Sequence, residues 1–240
     1  MKHPTGGSHG ARYVVVFDCE SDSSFASLPG ENHDDKLRYM QFTVICAICL
    51  PCESIENHAP IDQIMSKAVR RTWWRDVAEE GSNPIASLLE VFDGAEAIVG
   101  YNCLSFDFPL IRRFYRPTEA HANPVQRYVD HRSKTVDLMH RFKDATGSYF
   151  KLDEVLKRNG LRSKSSNGLE AIKMWQRGHR DHLQSYCETD VALTAQLSLL
   201  ESVMLHDNVR ITNACFGIRS ALAQQRGHAR TEEEDSFVLV

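Results

Sequence analysis

Apolar and polar positions follow two rhythms along this chain, and each change of rhythm marks an element. Tyr13–Phe17 (YVVVF) is an unbroken β-branched and aromatic run, which predicts a buried central strand. It ends abruptly in Asp18-Cys19-Glu20. The polar stretch Ser21–Asp35, with Pro29-Gly30 inside it, predicts a loop, and Arg38–Leu50 (RYMQFTVICAICL) a long strand stopped by Pro51. Ile61–Glu80 reads as helical or irregular. Asn83-Pro84 is a helix-start signal for a helix running to about Phe92 and stopping near Gly94. Ala97–Tyr101 predicts a short strand, Phe108–Tyr115 an apolar helix, His121–Arg132 a polar loop, and Lys134–Met139 a short strand or its end. Helices are predicted over Leu152–Asn159 and Leu169–Arg177, on either side of the basic polar loop Arg162–Asn167. A long helix follows from about His179 to Leu205, where Leu183, Tyr186, Cys187, Asp190, Val191, Leu193, Thr194 and Leu197 recur at helical spacing. Strand–strand–helix–strand–helix order predicts one α/β domain.

Composition narrows the class without changing the picture. At 240 residues the chain is long enough to bury a full core, and its apolar and charged fractions, 42% and 25%, are those of an ordinary globular protein. No run of 18 apolar residues occurs, so no transmembrane helix is expected. Met1–Arg12 is rich in Gly, His and Ser, has no apolar centre and reads as a disordered tail rather than a secretory signal. His3 and His9 in it are metal donors only as part of a flexible tail. Seven scattered cysteines predict reduced thiols and an intracellular protein, cytoplasmic or nuclear. Cys46, Cys49 and Cys52 have the spacing of part of an iron–sulfur pattern, but opposite strand parity for the first two favours buried, inert thiols.

Charge adds a sharper hint. The net charge is −4, yet residues 112–180 hold 16 Lys and Arg against 7 Asp and Glu, while the remainder holds 12 against 25. A basic middle beside acidic flanks fits a phosphate-binding surface next to an acidic metal site.

The candidate chemistry starts at Asp18 and Glu20. Two residues apart on a strand, their carboxylates face the same side, roughly 6–7 Å apart along the chain. At the end of a buried strand such a pair reads either as a strand followed by an acidic turn, since Asp and Ser cluster just after it, or as ligands with a divalent cation between them. Asp107 stands near a helix N-terminus, where the dipole favours a carboxylate. Tyr186 and Asp190 are four apart on an otherwise apolar helix face, where an unpaired carboxylate is costly unless it binds metal. Trp73-Trp74 is a candidate base-stacking pair or, more simply, one core anchor and one edge cover. Lys164, in the glycine-ended loop, is a candidate phosphate contact or a solvated lysine.

Asp-x-Glu on a strand, then Asn-x3-Phe-Asp (Asn102, Phe106, Asp107), then Tyr-x3-Asp on a late helix resembles the DEDD exonuclease superfamily, of ribonuclease H-like fold, in its DEDDy branch. The segments IVGYNCLSFDFPLI and YCETDVALTAQL most resemble the proofreading domain of family B DNA polymerases and related stand-alone nucleases. KSSNGLEAIKMWQRG followed by YCETDV resembles a small ribonuclease H-like group. The resemblance spans about residues 13–200. It implies a mixed central sheet flanked by helices and a single domain over 13–205, with a candidate insertion at about 53–82, a helical extension at 206–230 and an acidic tail at 231–240.

The resemblance further implies a 3′–5′ exonuclease that shortens single-stranded DNA or RNA from the 3′ end and releases nucleoside 5′-monophosphates. Asp18, Glu20, Asp107 and Asp190 would hold two Mg²⁺ or Mn²⁺ ions about 3.5–4 Å apart. Tyr186 would orient the attacking water, and Asn102 and Phe106 would hold the terminal nucleotides. Asp137 is not needed by the family pattern and is expected to be structural. The alternative is a nuclease-like binding or adaptor module without chemistry, and the complete carboxylate set argues against it.

Overall fold

The computed structural model describes residues 12–77, 82–162, 168–206 and 209–223. Five strands, β1 (Tyr13–Ser21), β2 (Phe42–Pro51), β3 (Val69–Trp74), β4 (Ala97–Gly100) and β5 (Thr135–Asp137), form one sheet in the order β3-β2-β1-β4-β5. β1, β2 and β3 are antiparallel neighbours, while β4 and β5 run parallel to β1. The helices are α1 (His33–Tyr39), α2 (Cys52–Glu56), α3 (Ile61–Ser66), α4 (Ala86–Gly94), α5 (Asp107–Ile111), α6 (Pro124–Ser133), α7 (Leu138–Thr146), α8 (Leu152–Arg158), α9 (Gly168–Gln176), α10 (Arg180–Leu199) and α11 (Asn213–Phe216). A ribbon of β6 (Ser202–His206) and β7 (Val209–Thr212) follows α10.

The β1 sequence explains why helices cover both sheet faces. Val14 and Val16 belong to the core that includes Leu183, Tyr186, Cys187 and Val191 of α10. Val15, Phe17 and Cys19 belong to the core built with α4 and α5 around Phe92 and Phe108. Phe17 meets both of those rings edge-on, at 4.9 and 5.5 Å. Burying each such side chain contributes about 1.5–3 kcal/mol. The same alternation splits the cysteines of β2: Cys46 packs toward α10 and Cys49 toward α4 and α5, and all seven cysteines are free thiols.

Several boundaries differ from the expectations. The stretch expected as a loop up to Asp35 ends in α1, capped by Asn32, whose side chain accepts the Asp35 N–H at 3.0 Å; β2 then begins at Phe42 rather than Arg38. Ile61–Glu80 splits into α3 and the edge strand β3, whose Arg70 and Arg71 are exposed, which hides its strand alternation. The expected loop 121–132 is largely helix α6. Its buried face is Arg127 and His131 rather than aliphatic residues, so no apolar rhythm marks it. Asp93 supplies the reason: it takes two hydrogen bonds from Arg127 and one from His131. The long helix stops at Leu199, not Leu205. Ser202–His206 alternates with Val203 and Leu205 buried, the period of a strand, and pairs with Val209–Thr212 before α11, where a helical extension was expected. Asn213 Nδ2 donates to the Ser198 and Leu200 carbonyls at 3.0 and 2.7 Å, closing the C-terminal end of α10.

Among the described residues no helix is long and apolar enough to cross a membrane. Residues 1–11 with His3 and His9, the loop lysine Lys164 and residues 224–240 lie outside the described residues.

Candidate active site

The strand parity that buries Val14 and Val16 against α10 carries Asp18 and Glu20 to the same face. Their carboxylate oxygens and Cys187 Sγ of α10 all lie within 4.8 Å of one another. Glu20 is 8% exposed. The pairing of β1 with β2 changes register just past Glu20, so the regular ladder ends where the acidic pair stands.

Asp107 reaches the site from the opposite direction, at the start of α5. It is 2% exposed, and its Oδ1 has no hydrogen-bond partner. Burial, then Asp18, then Asp137 hold its carboxyl well above the ordinary carboxylate range. A tight turn from β4 places it there. Gly100 ends β4 because a Cβ would sit 2.6 Å from Cys103 Cβ and 2.7 Å from its Sγ. Asn102 adopts the left-handed conformation (φ 65°), which Asn tolerates better than most residues. Its carbonyl accepts the N–H groups of Ser105 and Phe106.

Asp137, the last residue of β5, clamps that turn. It accepts the N–H groups of Asn102 and Leu104 at 2.9 Å each, and it caps α7 by accepting those of Met139 and His140. Its oxygens are used by the backbone, in the structural role expected for it.

From α10, Tyr186 and Asp190 project one turn apart, 7% and 2% exposed. Burial raises the Tyr186 hydroxyl pKa first; the charges of Asp190, Glu20 and Asp18 and a hydrogen bond with Asp190 raise it further. The phenol therefore keeps its proton. Cys187, between them, is the residue that helical spacing alone marked as core. Its S–H donates to the Asp18 carbonyl at 3.6 Å, and burial raises its pKa well above that of an ordinary thiol. It stands beside the carboxylates as a protonated packing group. Two clustered carboxylates, Asp18 and Glu20, with hard oxygen donors fit a divalent cation, and Asp107 brings a buried oxygen lacking any hydrogen bond.

Next to Glu20 opens a cavity of about 440 Å³, lined by Phe25, Phe106, Leu169 and Ile172 among others. Phe106 and Phe25 meet edge-on at 5.9 Å. Phe106 thus lies beside the acidic group, while Asn102 enters through its backbone. Phe25 carried no sequence signal, and Leu169 and Ile172 showed only a partly satisfied helical spacing in the helix predicted from Leu169. Trp73 is buried, its Nε1 donating to Ser87 Oγ at 2.8 Å. Trp74 stacks on Trp175 of α9 at 6.4 Å and 19°, with the Arg180 guanidinium 5.1 Å from the Trp74 ring. This pair holds α9, one wall of the cavity, against β3.

The family B DNA polymerase of the hyperthermophilic archaeon Pyrobaculum calidifontis is similar in structure, with a TM-score of 0.48 and 15% identity over 80% of this chain and 25% of the polymerase. The zinc-bound E. coli ExoI–ssDNA complex has a TM-score of 0.43 and 15% identity over 79% of this chain and 40% of that one. E. coli exonuclease I in complex with a dT13 oligonucleotide has a TM-score of 0.43 and 14% identity over 78% of this chain and 40% of that one. The present chain thus spans well under half of each of these proteins. No curated protein matches its sequence. The model of the RNase_H superfamily matches residues 63–200, more than half of the 240 residues. With that match and a mixed five-stranded sheet flanked by helices, the chain belongs to the RNase_H superfamily and has its α/β fold.

Proposed function

We propose that this protein is a metal-dependent 3′–5′ exonuclease that hydrolyses single-stranded DNA or RNA from the 3′ end to nucleoside 5′-monophosphates. The observation that carries the reading is the Asp107 carboxylate, buried beside Asp18 with an oxygen that no protein group satisfies. A buried carboxylate next to another, with one oxygen lacking a hydrogen bond, is unfavourable in a structural role and useful as a ligand. Asp18, Glu20, Asp107 and Asp190 are the residues assigned to the cations. Bound there, divalent cations supply an activated water and charge stabilisation at the phosphorus and the leaving 3′ oxygen.

The chain's own groups do the remaining work. Tyr186 keeps its Oη proton, so it orients the attacking water by hydrogen bonding rather than by removing its proton. Phe106 and Phe25 offer aromatic edges and faces to the terminal base in the cavity beside Glu20, and Leu169 and Ile172 close its far wall. The apolar side chains of the lining cover the base, while Ser21, Ser23 and Ser24 in the same lining offer hydroxyls to it. Lys164, four residues before α9 in the sequence, is assigned as a phosphate contact.

The test uses 5′-labelled single-stranded DNA and RNA of one sequence, incubated in Mg²⁺, in Mn²⁺ and in EDTA, beside Asp190→Ala. A ladder shortening from the 3′ end, dependent on metal and lost in the variant, is the expected result. Intact oligomers under every metal condition would overturn the reading in favour of a binding module.

A further inference from the structure

A second concavity, larger than the one beside Glu20, lies between α1, α5 and α6. It is a cleft of about 1050 Å³ whose wall carries Arg38, Arg112, Arg113 and Arg132, together with His33. One carboxylate stands among its described lining residues, Asp34, which lies 3.6 Å from His33. Elsewhere the fold matches arginines with acids: Arg12 meets Glu56 and Glu96, Arg75 meets Asp22, and Arg127 meets Asp93. None of the four cleft arginines has a carboxylate partner among the described residues.

Three of them, Arg112, Arg113 and Arg132, are held in place by neutral groups. Tyr128 lies between two of them, with the Arg112 and Arg132 guanidinium carbons each 5.5 Å from its ring centroid. Arg132 Nη1 donates to the Leu104 carbonyl at 2.8 Å, and Arg113 Nη2 donates to the Met40 carbonyl. A guanidinium has five N–H donors, so each anchored arginine keeps donors to spare while its charge goes uncompensated. Holding like charges together without acids raises the energy of the free protein, and an anionic ligand relieves it.

The cleft also continues into the candidate active site. Leu104 and Ser105 of its wall directly precede Phe106 and Asp107. The His33 ring stacks on Phe25 at 4.6 Å and 27°, and Phe25 lines the cavity beside Glu20. A strand whose last base lies against Phe25 and Phe106 has a short path from there into the arginine cleft.

From this continuity we infer that the α1–α5–α6 cleft is the track for the single-stranded nucleic acid upstream of its 3′ end, with Arg38, Arg112, Arg113 and Arg132 contacting successive phosphates. The inference rests on the exonuclease reading for the direction in which the strand runs. The cleft makes the protein a binder of oligomers several nucleotides long rather than of a 3′-terminal dinucleotide alone. Its contacts are to phosphate, so affinity is insensitive to sequence and steeply dependent on salt.

The experiment measures fluorescence anisotropy of 5′-fluorescein dT15 in EDTA, which removes hydrolysis from the readout, for the full chain and for Arg38→Ala/Arg112→Ala. Both residues are exposed on helix or turn surfaces, and circular dichroism checks that the variant is folded. The expected result is a loss of affinity of about tenfold or more, with a log–log salt slope shallower by about 1.4, two phosphates' worth on a single strand. In Mn²⁺, the ratio of kcat/KM for dT15 to that for a dinucleotide should fall at least about fivefold in the same variant. Unchanged dT15 affinity and slope would overturn the inference. Equal displacement of the labelled strand by polyglutamate and by unlabelled dT15 would also overturn it, in favour of an acidic protein partner. A chain that binds dT15 through these arginines yet hydrolyses nothing would uphold the cleft and sink the exonuclease reading, so the two fail separately.

Discussion

Asp137 Oδ1 accepts the backbone N–H of Asn102 at 2.9 Å, and this single bond ties the last strand of the sheet to the turn that carries Asp107. The other carboxylate oxygen holds Leu104, and Oδ1 also serves Met139 and His140 at the start of α7. One buried side chain thereby sets both a helix start and the geometry of the candidate active site. Asp137→Ala removes the cap and leaves buried N–H groups unsatisfied, at a cost of about 2–4 kcal/mol. Asp137→Asn keeps one acceptor and should cost roughly 1 kcal/mol. Urea unfolding of the two variants checks the ranking; equal effects would mean that the bonds accepted by Oδ1 from Asn102, Met139 and His140 contribute nothing.

Asp107 should behave in the opposite way. Its carboxyl is strained by burial and by Asp18 and lacks a partner at Oδ1, so Asp107→Asn leaves the metal-free protein as stable as before or more stable by about 1 kcal/mol. The wild-type melting temperature should rise on adding Mn²⁺, since saturation at about 100 times Kd contributes about 2.7 kcal/mol. In Asp107→Asn that rise should shrink or vanish. An undiminished rise would remove Asp107 from the cation site.

The turn at Gly100 offers a steric test. A Cβ there meets both Cβ and Sγ of Cys103, so Gly100→Ala overpacks the β4 end and should cost about 1–3 kcal/mol. Cys103→Ala cannot relieve the clash because Cβ remains 2.6 Å away, whereas Cys103→Gly can. Thermal melts of the two double variants distinguish them, and equal rescue would contradict the contact.

Acid should weaken the fold through the cluster that hides α6. His131 is pushed down to about 4, first by burial, and is neutral at pH 7. In that state Nε2–H donates to Asp93 at 2.8 Å while Nδ1 accepts the Tyr115 hydroxyl at 2.9 Å. Between the ordinary histidine value and about 4, the unfolded chain binds a proton that the folded chain does not, so stability rises with pH across that window and is flat above it. The change amounts to about 3 kcal/mol. Asp93 adds in the same direction: its carboxyl is lowered by Arg127 and His131 against the opposing effect of burial, so its contribution is lost as pH falls through its folded value. Urea midpoints from pH 4 to pH 7.5 check the slope, which should flatten in His131→Gln; a flat wild-type profile would mean that His131 is charged in the fold.

The sequence was most legible where function rides on local geometry. Parity alone puts Asp18 and Glu20 on the face of Val14 and Val16, and four-residue spacing alone puts Tyr186 and Asp190 on one face of α10. It was least legible where a polar residue does the work of an apolar one. Helix α6 buries an arginine and a histidine against Asp93, and β3 exposes its arginines at the sheet edge, so neither shows the rhythm that reveals a helix or a strand.

What the sequence determined by itself is therefore the period of each element and the side on which its carboxylates stand, because both follow from the rise and twist of a single segment. Tertiary structure alone decided which of those sides meet. The Cys187 thiol touches the Asp18 carbonyl across 169 residues, the Asp107 Oδ1 is left without a hydrogen bond, and the arginines of α1, of the turn after α5 and of α6 converge on one cleft. Such juxtapositions depend on how two cores close on the two faces of β1, and packing between distant segments leaves no periodic mark on either one.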